Sequence, residues 1–124
     1  MRKLVTMLAF LLVTAGVSEA LSLQEYIKRS KSEDKNQRQA MNIYVLGLGE
    51  GLFWANIGMK EKHNVSLFCL PKNLPLAPSH YSKILNEAID KYKETESIKT
   101  AQNDDVLGLL LLTGLEEHFP CGKQ

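Results

Sequence analysis

The sequence has no excess of positive charge, only two cysteines and a single tryptophan in 124 residues. The first two shortages each remove a class of function. The formal net charge is +1, so no basic stripe is present to track a phosphate backbone. The most uniform apolar run, Leu4–Val13, is about half as long as a bilayer crossing requires. Two cysteines without a CxxC or HxxxH spacing argue against zinc. No serine sits in a nucleophile-elbow pattern. The three histidines, His63, His80 and His118, are scattered, and each reads as a surface or capping residue. No segment alternates as a strand does, and no repeat or low-complexity tract appears.

What remains begins with a leader. Arg2 and Lys3 precede the apolar run, and Ser18 and Ala20 supply the small residues of a cleavage site. Residues 1–20 therefore read as a secretory signal peptide, removed from fold reasoning. Residues 21–124 then form a single domain. Losing Arg2, Lys3 and Glu19 lowers the fifteen basic and fourteen acidic residues to thirteen each, leaving no net charge. The product is expected to be exported, with no membrane attachment after cleavage. In an exported chain an even cysteine count reads as a disulfide, here Cys69 with Cys121. Closing a loop of that length stabilises by about 4 kcal/mol in the chain-entropy model.

The glycines at Tyr44–Gly58, "YVLGLGEGLFWANIG", pose the main question. A dinucleotide or ATP loop would need another glycine spacing or a Lys-Ser/Thr step, and Glu50 would repel phosphate. No nucleotide cofactor is expected, nor any other. At helical period, Ala40, Tyr44, Gly47, Gly51, Ala55 and Gly58 fall on one nearly bare face. Each interior glycine costs a helix up to about 1 kcal/mol against alanine, which close packing on that face would offset. Leu52, Phe53 and Trp54 flank it. The expectation is a packed helix from about Asn36, with Tyr44, Gly47, Gly51 and Trp54 as packing residues, allowing for a break near Gly49.

The other elements are also helical. Ser22-Leu23-Gln24-Glu25 has the capping-box pattern and opens a helix from about Leu23 to Ser32. Pro71, Pro75 and Pro78 punctuate a loop that Phe68 and Cys69 anchor. Ser79 is the expected N-cap of a helix running to about Lys93, with Tyr81, Leu85, Ala88 and Tyr92 on one face beside Ile84 and Ile89. Thr100 or Asn103 is expected to cap the last helix, with Asp104 and Asp105 at its positive end. "VLGLLLLTGL", Val106–Leu115, reads as buried on most sides or as an oligomer interface. Pro120 stops it. The fold class is all-α: a compact bundle of four main helices with one intramolecular disulfide.

The ordered set "YVLGLGEGLFWAN", "CLP", "ILNEAIDKY", "LLLLTGL" and "FPC" resembles the Rap/Tai family of periplasmic immunity proteins of Gram-negative bacteria. The resemblance runs from about Ala40 to Cys121. Its most specific parts are Tyr44 with Gly47, Gly51 and Trp54, the Cys69-Leu70-Pro71 step, and Phe119-Pro120-Cys121. The chain departs from the family pattern in lacking a proline before the last helix. The resemblance implies a small all-α protein, often a homodimer, in the periplasm. It implies as partner a cell-wall amidase with a papain-like Cys-His site, delivered by the type VI secretion system. The immunity protein would cover the amidase cleft and stop cleavage of peptidoglycan cross-bridges. It would itself catalyse nothing.

A plug of this kind gains from preorganisation, which lowers the ordering penalty on binding. The candidate segment is residues 94–100. There Glu94, Glu96 and Ser97 offer polar contacts around the amidase cleft, Ile98 can fill a subsite, and Lys99 belongs to the same effector-binding set; the plain alternative for this segment is a solvated acidic turn. The competing reading is a small acid-stress chaperone, which would bind unfolded clients through an exposed Val106–Leu115 helix. An exported hydrolase is a third reading, disfavoured for want of a catalytic constellation.

Overall fold

The first helix begins where Ser22 stops being extended: its Oγ accepts a hydrogen bond from the Glu25 N–H at 3.2 Å. This is half of the expected capping box. Glu25 does not reach back, because it pairs with Arg29 one turn on, at 2.6 Å. The Arg29 hydrogen bond holds the Glu25 carboxyl below its ordinary pKa. The computed structural model describes residues 21–72, 74, 76–95 and 106–122. The expected signal peptide, residues 1–20, lies outside them.

Four helices follow one another: α1 (Leu23–Ser30), α2 (Lys35–His63), α3 (Pro78–Thr95) and α4 (Leu107–His118). No strand occurs among the described residues, and the fold is all-α. Helix α1 ends at Ser30 rather than Ser32. Asp34 caps α2 by accepting from the Asn36 N–H at 2.8 Å. Helix α2 then runs unbroken through Gly47, Gly49 and Gly51, so the break considered near Gly49 is absent. It closes at Asn64, whose φ of 56° is the left-handed conformation that ends many helices.

Ser79 does not cap α3. The helix starts at Pro78, whose fixed φ suits a first helical position and whose missing N–H would find no partner there. His80 serves the start instead: its Nδ1 accepts from the Ala77 N–H at 2.9 Å. Helix α4 has no side-chain cap, with Val106 preceding it in helical geometry. The expected caps Thr100 and Asn103, with Asp104 and Asp105, lie outside the described residues.

The core lies between α3 and α4, with α1 and α2 packed around that pair. Leu85, Leu111 and Leu115 are fully enclosed, each contributing about 1.5–3 kcal/mol by burial. Tyr81, Ile84, Leu85, Ala88 and Ile89 form the buried face of α3 that the spacing predicted, with Tyr92 half-buried. Gly114 of α4 packs directly against Ile84 and Ala88 of α3. A Cβ there would stand 2.6 Å from Ile84 Cγ2 and 3.3 Å from the Ile84 carbonyl oxygen. Across the outer edge of this pair, His118 Nε2 lies 2.8 Å from Glu87, and Lys91 pairs with Glu117.

The last helix is less buried than expected. It encloses Leu107, Leu110, Leu111, Gly114 and Leu115, but Leu109 is 63% exposed. No helix among the described residues is long and apolar enough to cross a membrane.

Candidate functional site

Three features lie along the middle and C-terminal half of α2. The first is the staple. Cys69 and Cys121 are joined by a disulfide with Cα atoms 4.9 Å apart, 52 residues apart in sequence. Backbone reinforces it: the Cys69 N–H donates to the Phe119 carbonyl at 2.8 Å. Phe68, adjacent, is almost wholly buried. "CLP" and "FPC" are thus one contact. Asn56 holds the same loop from α2. Its Nδ2 donates to the Phe68 carbonyl at 2.8 Å, and its Oδ1 accepts from the Leu67 N–H at 2.6 Å. One side chain therefore satisfies both polarities of a loop that has no ladder of its own.

The second feature is the glycine face, and here the packing expectation is corrected. Gly47 and Gly51 are exposed, and a Cβ at either, or at Gly58, would meet nothing within 4 Å. Trp54 is 65% exposed, and Ala40 and Ala55 are exposed as well. Only Tyr44 of the four expected packing residues is half-buried against the core. The glycine that packs is Gly49, with Met41 and Val45, on the opposite side of the helix. A Cβ at Gly49 would lie 2.5 Å from Tyr81 Cγ and Cδ1.

The third feature is a cleft of about 290 Å³ between α2, the Pro-rich loop and the start of α3. Leu70, Leu74 and Leu76 give it an apolar wall. Phe53 and Trp54 give it an aromatic edge, their rings 5.5 Å apart and crossing at 74°. Tyr81 and Glu50 complete it. Burial pushes the Tyr81 phenol above its ordinary pKa, and the nearby Glu50 carboxylate adds to that shift.

Of the expected plug, Glu94 is described and is not in a connector. It is exposed in the last turn of α3, which continues to Thr95 rather than ending at Lys93. Thr95 Oγ1 closes that turn on the Tyr92 carbonyl at 3.1 Å. Glu96, Ser97, Ile98 and Lys99 lie outside the described residues. No group of three or more His, Cys, Asp or Glu side chains among the described residues could hold a metal.

Asn56, Gly49 and the cleft escaped the sequence. Asn56 is one polar residue in a long helix, and only the fold brings residues 67 and 68 beside it. The sole tryptophan beside a carboxylate four residues earlier was the available signal for the cleft. Comparison with known protein families, with characterised proteins and with solved structures finds no match.

Proposed function

We propose that this protein is a periplasmic immunity protein. Its partner is a peptidoglycan amidase of the papain-like Cys-His type, delivered by a type VI secretion system. It acts by occupying the amidase cleft in a one-to-one complex. An N-terminal signal peptide takes it to the periplasm, and it works there as a homodimer. It carries out no reaction.

The observation that carries this reading is the joining of Cys69-Leu70-Pro71 to Phe119-Pro120-Cys121 by a disulfide and a backbone hydrogen bond. These are two of the most specific parts of the Rap/Tai resemblance, and they form a single structural unit. Physical logic supports the rest. A stoichiometric inhibitor outside the cytoplasm must stay folded unaided, and a staple closing 52 residues favours that. The chaperone reading needs an exposed apolar α4, whereas Leu107, Leu110, Leu111 and Leu115 are spent on the core.

The test is capture at neutral pH. The exported protein, purified from periplasm of the native cell together with what it holds, should bring down one Cys-His amidase in equal molar amount. Recovery of many unrelated unfolded proteins, increasing on acidification, would replace this reading with the chaperone. Sedimentation of the free protein checks the homodimer.

A further inference from the structure

We infer that the cleft beside Trp54 is a receptor for an arginine side chain presented by a protein partner. The inference adds to the immunity reading without resting on it. Its starting point is a charge without a counter-charge. Glu50 forms no ion pair among the described residues, yet it borders a cleft walled by Leu70, Leu74 and Leu76. It is the one charged residue described in the lining.

The other walls suit the rest of an arginine. The methylene stem matches Leu70, Leu74 and Leu76. The guanidinium plane matches the exposed aromatic edge, where Trp54 is 65% accessible and meets Phe53 edge-on. The flat fork can then present two N–H groups to the Glu50 carboxylate. At about 290 Å³ the cleft admits one such side chain.

Neither arginine of the described residues is the occupant. Both arginines among the described residues are engaged elsewhere. Arg29 holds Glu25 at 2.6 Å, and Arg38 donates to the Ser32 and Glu33 carbonyls at 2.7 Å.

The sole tryptophan makes the test direct, because its emission reports on this cleft alone. The protein is titrated with N-acetyl-arginine methylamide and with the citrulline analogue, its neutral isostere. Saturable change with the arginine probe, at least about fivefold tighter than with citrulline, is the expected result. Glu50→Gln should keep the fold, as shown by an unchanged circular dichroism spectrum, and bring the two probes to equal affinity. Equal binding of both probes to the unaltered protein, a preference that survives Glu50→Gln, or no saturable change would overturn the inference.

Discussion

Gly49 packs against the ring of Tyr81, so close that a Cβ would stand 2.5 Å from Tyr81 Cγ. This contact seats α2 on α3. It also separates two glycine environments within five residues, since a Cβ at Gly47 or Gly51 would meet nothing within 4 Å. Gly49→Ala should destabilise by about 1–3 kcal/mol, since the ring must shift within a filled core. Gly47→Ala and Gly51→Ala should each stabilise by about 0.5–1 kcal/mol, through helix propensity alone. Urea denaturation of the three variants checks the opposite signs. A loss of stability at Gly47 or Gly51 would mean that a neighbour, such as a second copy, covers that face.

Asn56 is the loop's polar anchor. Asn56→Ala leaves the Leu67 N–H and the Phe68 carbonyl without their partner and should destabilise by about 1–3 kcal/mol. Amide hydrogen exchange at Leu67 and Phe68 should accelerate more than exchange in α4. Unchanged exchange at Leu67 would contradict the clamp.

The disulfide ties that loop to the chain's end. Cys69→Ser should lower the melting temperature under oxidising conditions, by an amount corresponding to at most about 4 kcal/mol. The Cys69–Phe119 backbone bond and the buried Phe68 should still hold the loop in place. The far-ultraviolet spectrum should therefore persist at 25 °C. A melting temperature equal to that of the unaltered protein would mean that the bridge contributes nothing.

Alkaline pH should destabilise the protein. Burial raises the pKa of Tyr26 and Tyr81 above 10.0, and the Glu117 hydrogen bond raises Lys91 above 10.5. In each case the folded state holds its proton more firmly than the unfolded chain does. The associated stability is complete below the unfolded values and is lost as pH climbs through the raised ones. The urea midpoint should be flat with respect to these groups from pH 8 to about 9.5 and fall beyond about pH 10. Tyr81→Phe should flatten that fall, and an unchanged slope would remove Tyr81 from the account. Lys91 is fully exposed, so its share is small.

Much of the fold was legible because periodicity is written in the residues that pack. The α3 face from Tyr81 to Ile89 and the Cys69–Cys121 pair needed no partner information. Helix ends were less legible: Pro78 and His80 open α3 where Ser79 looked the better cap. The site was the least legible. Small residues mark close approach only when something approaches, and the sequence does not say on which face. Gly47 and Gly49 differ in context, not in kind. Asn56 and the Glu50–Trp54 cleft depend on a loop returning to α2 from ten or more residues away.

The central claim is that this chain acts by binding and blocking a cell-wall amidase. The most direct measurement is release of peptide fragments from purified peptidoglycan by an amidase recovered with the protein in the capture experiment, titrated with residues 21–124. Cleavage should fall linearly and stop near one equivalent. Full cleavage in the presence of excess protein would contradict the account.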